Sequence, residues 1–307
     1  MTDPAGSTAA APSAAPVCSP AAARTRLAEL ARAIGFDTVA LAAVTPLPEP
    51  HPTAYRRFLE QGFQADMDYL ADRPEVRLNP RRRWPWARTV VSLAVHYALP
   101  GRPASPGHSN EISNGPTSAA PAAPAAPAAP ALQGATAAPA IPPIDRIARY
   151  ARGRDYHRAL DTALRLFKDV LVRTPDFGIA HAHYHCDTGP VLERPWAQQS
   201  GLGWLAKNGL IIRPGAGSWL FLAEIFLDRE LPADPPATDH CGACTQCIDA
   251  CPTGAIVADR VVDPRRCIPW RNIEKRAPLT PAESADLHGW IFGCDVCQDV
   301  CPHNQRA

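Results

Sequence analysis

Apolar residues recur at the spacing of an α-helix in three stretches of the chain. Leu, Leu, Ala and Ile line one face of residues 27–34 and Gly35 follows as a stop signal, so an amphipathic helix is expected to start near residue 24. A second helix is expected around Tyr55. Residues 155–172 place Leu, Leu, Phe and Leu on one stripe. This stripe predicts a longer helix that packs on a hydrophobic core.

Other stretches have the composition of buried strands. Residues 89–97, TVVSLAVHY, are rich in β-branched and apolar side chains. The apolar runs GLIIR (209–213) and GSWLFLAEIFL (217–227) flank a Pro-Gly-Ala-Gly loop, and we expect these two runs to pair with each other around it. A further strand followed by a turn is expected within residues 178–193.

Composition divides the chain into segments. Residues 1–20 are mainly Ala, Pro, Ser and Thr, and residues 101–143 contain four consecutive AAP triplets. Because neither segment has the apolar side chains that would offset the entropy of ordering, we predict a disordered tail and a disordered Pro/Ala-rich insertion. The Pro-rich stretch after Leu231 marks a boundary between a first domain, residues 21–230, and a second, residues 231–307.

The overall composition narrows the classes of function. The 307 residues are 46% hydrophobic, enough for about two domains with real cores. A formal net charge of +1 argues against a wholly basic nucleic-acid binder but leaves local basic patches open. The sequence has no apolar run of 18 residues and no signal-like N-terminus, so we expect a cytoplasmic protein without membrane contact. Neither a dinucleotide-binding fingerprint nor a P-loop is present.

The candidate chemistry is concentrated in the cysteines of the second domain. The first array is Cys241, Cys244, Cys247 and Cys251, followed by Pro252. Its C-x2-C-x2-C-x3-C-P spacing is that of bacterial ferredoxins, which hold [4Fe–4S] clusters. The second array is Cys267, Cys294, Cys297 and Cys301. Eight thiolates suffice for two such clusters.

In two-cluster ferredoxins, the last cysteine of a run binds the other cluster. This rule gives two ligand sets: Cys241, Cys244, Cys247 and Cys301 for one cluster, and Cys251, Cys267, Cys294 and Cys297 for the other. Disulfides are not expected without an export signal, while structural zinc remains the alternative for the C-x2-C pairs. Cys18 and Cys186 are expected to have no redox role.

The segment before the turn carries three alternating histidines. His181, His183 and His185 would lie on one face of a strand, where they could bind a metal or be satisfied individually by ordinary hydrogen bonds. Asp187 is expected to continue the same face. Its carboxylate at a strand end is either a turn cap or a proton donor in a pocket.

Several motifs together resemble the epoxyqueuosine reductase family. They are RYARGRDYH (149–157), DTGPVLERPWAQQSGLGWLAKNGLII (187–212), GSWLFLAEIF (217–226), the two cysteine arrays, and GFQADMDYLADRPEVRLNP (62–80). The resemblance implies an α+β protein, with a nitroreductase-like cobalamin-binding domain followed by a ferredoxin-like two-cluster domain. It further implies a cytoplasmic oxidoreductase of queuosine biosynthesis that reduces the epoxide of epoxyqueuosine in the tRNA anticodon loop, using cobalamin fed by two [4Fe–4S] clusters.

The same resemblance implies roles for individual residues. Asp187 matches the proton donor of the family. The residues implied to contact cobalamin are Met67, Tyr150, Asp187, Lys207, Asn208, Ile211, Ser218, Leu222 and Ile225. The apolar members of this set are alternatively plain core residues, because strands of this composition are usually buried.

The expected partners are tRNA and an external electron donor, with the protein itself a monomer. Family members continue past the second cluster motif into a helical-repeat extension, whereas this sequence ends at Ala307. Contact with tRNA is then expected to use basic patches such as residues 81–83 and 265–276, where Trp270 could stack on a base. Two alternative functions remain: a cobalamin-dependent reductive dehalogenase and a plain two-cluster electron-transfer protein.

Overall fold

The computed structural model describes residues 17–97 and 144–305. The strands are β1 (Thr38–Ala43), β2 (Thr89–His96), β3 (Ala182–His185), β4 (Trp204–Leu205), β5 (Ile211–Ile212), β6 (Leu220–Leu227), β7 (Ile256–Ala258) and β8 (Val261–Val262). The α-helices are α1 (Pro20–Ile34), α2 (His51–Glu60), α3 (Pro74–Leu78), α4 (Tyr156–Arg173), α5 (Glu193–Gln199), α6 (Gln246–Asp249), α7 (Pro281–Ala285) and α8 (Val296–Asp299). The predicted insertion at 101–143 lies outside the described residues.

A four-stranded antiparallel sheet forms the centre of the first domain. Its strand order is β1-β2-β6-β3. Val91 of β2 pairs with Leu41 on one side and with Ile225 of β6 on the other. Since side chains alternate along a strand, these three residues point to one face of the sheet and join the largest hydrophobic core.

Helices α1 and α4 cover this face, which confirms both predicted stripes. The apolar stripe of α4 is buried in the same core as Leu27 and Ala31 of α1. Helix α1 ends at Gly35, whose φ of 116° lies in the left-handed region that favours glycine. The predicted helix around Tyr55 is α2.

The opposite face of the sheet is covered by α5 and by an aromatic cluster. Trp84 stacks on Phe226 of β6 with ring centroids 5.4 Å apart, and Trp196 of α5 meets the same ring edge to face at 6.4 Å. Trp196 and Phe226 are almost completely buried. The packing fixes α5 over the ends of β3 and β6, where the polar residues of the candidate site lie.

The predicted pairing of residues 209–213 with 217–227 is wrong. In the structure β5 pairs with β4, and β6 pairs with β2 and β3 in the central sheet. A single isolated bridge, Arg213 to Gly217, closes the loop between them. Seven of the eight residues of β6 are apolar, and such a strand can be buried on both faces only in the interior of a sheet. The local loop therefore does not determine the pairing.

The end of the predicted disordered tail is packed in the structure. Ser19 caps α1 by accepting a hydrogen bond from the Ala22 amide, and the Cys18 thiol donates to the Asp176 carbonyl oxygen at 3.0 Å. Arg229 donates to the carbonyl oxygen of Cys18. Residues 17–20 thus belong to the first domain, because α1 needs its cap and a docking partner.

The cysteine-rich domain consists of short elements and packs on the first domain. Helices α6 and α8 lie against each other, and β7 and β8 form a small hairpin. Gln298 of α8 donates a 3.0 Å hydrogen bond to the Ser218 carbonyl oxygen, and Arg149 forms a 2.8 Å ion pair with Asp299. These contacts place the cysteines beside the first domain. Across 17–97 and 144–305, no helix is both long and apolar enough to cross a bilayer.

Candidate functional site

Four thiols from both cysteine arrays line one cavity. They are Cys241, Cys244, Cys247 and Cys301. Lys207, Asn208 and Ile212 of the first domain line the same cavity. The indole Nε1 of Trp204 lies 3.4 Å from the Sγ of Cys241 and donates a hydrogen bond to it. A cubane needs four thiolates and is tuned by hydrogen bonds to sulfur, so this cavity has the donor set for one.

The other four cysteines form a second group. The thiols of Cys251 and Cys267 are close enough to interact electrostatically, and both also interact with the thiol of Cys294. The thiol of Cys297 completes the group and also faces Cys247 of the first one. Burial raises the pKa of Cys267 and of Cys294 to about 12. All ten cysteines are free of disulfides.

The side chain of Asp187 lies at the end of β3, where the backbone reverses. Its φ of 58° is in the left-handed region, which aspartate adopts more readily than most residues. The Thr188 amide donates to the Cys186 carbonyl oxygen at 2.6 Å and closes the turn. The predicted continuation of the histidine face is wrong, because this reversal directs Asp187 towards α4 instead.

Helix α4 provides two hydrogen bonds to this carboxylate. The hydroxyl of Tyr156 donates to Asp187 Oδ2 at 2.6 Å, and Nε2 of His157 lies 3.2 Å from the same oxygen. Tyr156 is held between His157 and Phe221, with ring centroids 4.0 and 4.2 Å away. Both contacts use Oδ2, so Oδ1 is left for another partner.

Two further carboxyl groups, those of Glu193 and Glu224, lie near Asp187. The backbone amide of Asp187 donates a 2.5 Å hydrogen bond to Glu193 Oε1 at the start of α5. Burial and the nearby Asp187 carboxylate raise the pKa of Glu193 to about 7. Glu224 of β6 is completely buried next to Glu193, and burial raises its pKa well above the ordinary value.

The sequence reasoning assigned no role to Tyr156, His157, Glu193 or Glu224. All four lie inside the motifs that carry the family resemblance, so their positions were visible but the contacts among them and with Asp187 were not. Glu224 had a clearer signal. It is the one charged residue in the strand LFLAEIFL, and a carboxyl group inside an apolar strand indicates a special environment.

The three alternating histidines pack on tryptophans. His183 and His185 lie 4.8 and 5.1 Å from the Trp84 ring, and His181 stacks on Trp86 at 5.7 Å. Burial lowers the pKa of His185 to about 4, so this side chain is neutral near pH 7. Among the described residues, these histidines are not part of a group that could hold a single metal ion. The histidines thus act as packing residues here.

The residues implied to contact cobalamin are distributed over the junction of the two domains. Lys207, Asn208 and Ser218 are buried beside the cysteine-rich domain: Asn208 donates to the Cys297 carbonyl oxygen at 3.4 Å, and the Ser218 hydroxyl accepts from Asn304 at 2.9 Å. Ile211 packs with Leu222 in a small core.

Two members of the set, Met67 and Tyr150, come from the loops on the Asp187 side. Met67 is buried at 8% exposure, while Tyr150 is half-buried and lies close enough to Asp187 for that carboxylate to raise its pKa, after burial, to about 12. Ile225 lies elsewhere. It is fully buried in the core under α1 and α4, on the opposite face of the sheet from Leu222. The alternation of β6 therefore keeps Ile225 away from the other candidates.

Aromatic surface is left exposed beside Asp187. Tyr69 is 50% exposed and Phe292 is 37% exposed. The Phe292 ring lies 6.2 Å from that of Tyr150, and Tyr69 is near enough to Asp187 for the two to interact electrostatically. Exposed apolar side chains grouped around a carboxylate are typical of a binding surface for a large, partly apolar group.

The two candidate basic patches differ in the exposure of their cationic side chains and in the ion pairs that these side chains form. Residues 81–83 are three exposed arginines. In 265–276, by contrast, Arg271 pairs with Asp286 at 2.9 Å, and Lys275 pairs with Glu283 at 2.5 Å. The Trp270 side chain is half-buried, so only part of its ring is accessible.

Comparisons with known proteins agree with this arrangement. Residues 240–304 match the model of a 4Fe-4S double cluster binding domain. The chain is 40% identical to an epoxyqueuosine reductase of Synechocystis sp. over 248 residues, which cover 80% of this chain and 72% of that protein. It is 34% identical to the Cyclobacterium marinum epoxyqueuosine reductase, over 89% of this chain and 76% of the relative.

Solved structures give the same result. A crystal structure of epoxyqueuosine reductase with an epoxyqueuosine-modified tRNA-Tyr stem loop superposes with a TM-score of 0.70 at 26% identity. The Bacillus subtilis enzyme, in a form whose catalytic aspartate loop is swung out of the active site, gives 0.67 at 26% identity. Both matches cover 92% of this chain and 65% of the solved one, so this chain spans slightly less than two thirds of their length. From the identities to curated relatives and the shared fold, the chain belongs to the epoxyqueuosine reductase family.

Proposed function

We propose that this protein reduces the epoxide of epoxyqueuosine in a tRNA anticodon loop to the alkene of queuosine. The observation that carries the proposal is the Asp187 carboxylate, held by Tyr156 and His157 beside exposed aromatic surface. Family membership and two groups of four thiols support it. The protein is accordingly an oxidoreductase.

The eight cysteines are proposed to hold two [4Fe–4S] clusters in the crossed arrangement. Cys301 comes from the second array but lines the cavity of Cys241, Cys244 and Cys247, and Cys251 lies with Cys267 on the other side. The proximity of Cys247 and Cys297 supports transfer of single electrons between adjoining clusters.

The family is cobalamin-dependent, and the residues present fit such a group. Tyr150 and the exposed ring of Tyr69 lie near Asp187, Met67 is buried in the segment that carries Tyr69, and the buried polar pair of Lys207 and Asn208 lines the cavity of the thiols. We propose that these residues, with Ile211, Ser218 and Leu222, hold the corrin. Cobalamin, when bound, supplies a low-valent cobalt centre that delivers electrons to the epoxide.

The protein must supply the protons and the orientation for this chemistry. Conversion of an epoxide to an alkene breaks both C–O bonds, forms a C=C bond, and consumes two electrons and two protons as the oxygen leaves as water. Asp187 is proposed to donate protons to that oxygen through Oδ1, since Oδ2 is occupied by Tyr156 and His157. These two donors also fix the direction of the carboxyl group.

The partners are proposed on the same basis. A tRNA stem loop is the ligand in a solved relative, and the exposed arginines at 81–83 are suited to phosphate contacts. An external donor is proposed to reduce the clusters, and the protein to act as a monomer in the cytoplasm.

A direct test is to incubate anaerobic, cluster-loaded protein with cobalamin, a chemical reductant and tRNA that carries epoxyqueuosine. Mass spectrometry of the nucleosides should show loss of one oxygen atom at that base, and omission of cobalamin should abolish it. Turnover of a halogenated phenol with no change in tRNA would support the dehalogenase alternative. Lack of corrinoid binding would leave a plain electron-transfer protein.

A further inference from the structure

Glu224 is a buried carboxyl group with no assigned role in the reaction. Its residue is 0% exposed, and neither side-chain oxygen accepts a hydrogen bond from an N–H or hydroxyl group of the described residues. A carboxylate in this position would be very costly, because burial without hydrogen bonds disfavours the charged form. Glu224 therefore carries a proton in the folded protein.

The polar neighbour of Glu224 is the carboxyl group of Glu193. Two adjacent carboxyl groups can hydrogen-bond only when at least one of them is protonated, so the pair holds one proton or two. Glu193 extends this pair towards the surface, since its Oε1 accepts the 2.5 Å hydrogen bond from the Asp187 amide. The Glu193 carboxyl group also interacts electrostatically with the Asp187 carboxylate, so three carboxyl groups follow one another from the interior of the sheet to the proposed donor.

The other charged or titratable groups around the pair do not neutralise it. Asp187, Arg194 and His157 face Glu193. On the sheet, His185 lies opposite Glu224 in register, but its Nε2 is buried without a partner, and burial lowers its pKa to about 4. The Cys186 thiol is also nearby, and burial raises its pKa, which keeps it protonated. No cation of the described residues contacts Glu224 to hold it ionised.

We propose that the Glu193–Glu224 pair is a proton store that recharges Asp187 during the reaction. This inference rests on the proposed function, which consumes two protons per epoxide while Asp187 holds one at a time. Asp187 donates the first proton to the departing oxygen and becomes a carboxylate. When both members of the pair are protonated, Glu193 then transfers its proton to Asp187, and the pair shares the proton that Glu224 still holds. Asp187 donates the second proton, and the oxygen leaves as water.

The transfer moves one proton from the Glu193 carboxyl group to the Asp187 carboxylate, so charge and atoms balance. The two electrons come from the cofactors of the proposed reaction, and solvent restores the pair afterwards. Glu193 and Glu224 act through Asp187 and are positioning residues in this scheme. A proton kept inside the sheet remains accessible to Asp187 when a bound substrate covers the exposed side of the site.

The test combines infrared spectroscopy of cluster-loaded protein without substrate with steady-state kinetics. Selective ¹³C labelling of glutamate should reveal a protonated carboxyl band in the wild type that persists at pH 8. Glu224→Gln, which retains the size of the side chain, should remove that band and lower kcat about 10- to 100-fold with little change in KM. The matched control is Glu230→Gln, an exposed glutamate just after the same strand, which should alter neither readout.

A second variant guards against misfolding of Glu224→Gln. Glu193→Gln keeps an oxygen that accepts from the Asp187 amide but has no transferable proton, so kcat should fall by a similar factor. Absence of the band in the wild type overturns the proposal, as does loss of the band with unchanged kcat in both variants. Wild-type protein that shows the band but forms no queuosine contradicts the proposed function instead.

Discussion

The hydroxyl of Tyr156 donates a 2.6 Å hydrogen bond to Oδ2 of Asp187, so the first turn of α4 is tied to the reversal at the end of β3. Tyr156 in turn stacks on Phe221 of the central strand, with the two ring planes 10° apart. The position of the proposed donor therefore depends on the packing of α4. A substitution in α4 can test whether this helix orients the Asp187 carboxyl group.

Tyr156→Phe preserves this stacking but removes the hydroxyl donor. Loss of one hydrogen bond to a carboxylate costs about 1.5–3 kcal/mol, so we expect kcat to fall roughly 10- to 100-fold. Cluster content, measured as iron and sulfide per chain, should not change. Tyr184→Phe is the control, since the Tyr184 hydroxyl bonds Asp161 on the exposed side of α4. Equal kinetics of the two variants would contradict an orienting role for Tyr156.

The sequence predicted local elements well where a single pattern determines them. The apolar stripe of α4 is one example, because its 3.6-residue period depends only on residues of that helix. The end of α1 at Gly35 is another, because it depends only on the left-handed backbone of that glycine. The pairing of β6 could not be predicted in this way. An apolar strand specifies burial on both faces but not its partners, and one of the two partners of β6, the strand β2, is more than a hundred positions distant.

The same distinction applies to the site. The cysteine spacing predicted two sets of four thiols, since ligand identity and spacing are local properties. The contacts of Asp187 with Tyr156 and of Glu193 with Glu224 join α4, α5 and β6. No spacing rule encodes such contacts, so sequence analysis alone treats these residues as separate motifs.

Cys301→Ser should damage one cluster selectively. In the crossed arrangement, Cys301 binds with Cys241, Cys244 and Cys247. We expect iron content to fall from about eight to about four atoms per chain, as one cubane of two is lost. Mössbauer and electron paramagnetic resonance spectroscopy of anaerobic protein can measure this loss. Cys18→Ser should leave both clusters intact, whereas loss of both clusters in Cys301→Ser would contradict independent sites.

Stability should decrease as the pH rises through neutrality. Burial raises the pKa of Glu193 from 4.5 to about 7, and it also raises the pKa of Glu224 well above its ordinary value. Between pH 4.5 and about 7, Glu193 is more protonated in the folded protein than in the unfolded chain. The free energy of unfolding therefore falls as the pH increases. The contribution of Glu193 is fully present below about pH 4.5, and most of it is lost once the pH has passed about 7.

Denaturant unfolding of anaerobic, cluster-loaded protein between pH 6 and 8.5, about the range over which Glu193 ionises, can measure this slope. Glu224→Gln should flatten it, because the variant cannot bury a second ionisable carboxyl group. Glu230→Gln should retain the wild-type slope. A wild-type free energy of unfolding that stays constant over this range would show that the pair is ionised in the folded state.

Asp187→Asn separates the two roles that a carboxylate at this turn could have. Asparagine tolerates the left-handed backbone at φ 58° at least as well as aspartate, so the turn should form in the variant. Its side-chain oxygen can still accept from Tyr156, but it has no proton to donate. The variant should keep both clusters and bind cobalamin, while turnover of epoxyqueuosine tRNA falls by the roughly 10²–10⁴-fold typical of a lost general acid.

Asp161→Asn, on the exposed side of α4, is the control for a general loss of negative charge. If Asp187 only caps the turn, Asp187→Asn will unfold more easily but keep its rate per folded molecule, and full turnover by a loaded, stable variant would remove Asp187 from the mechanism.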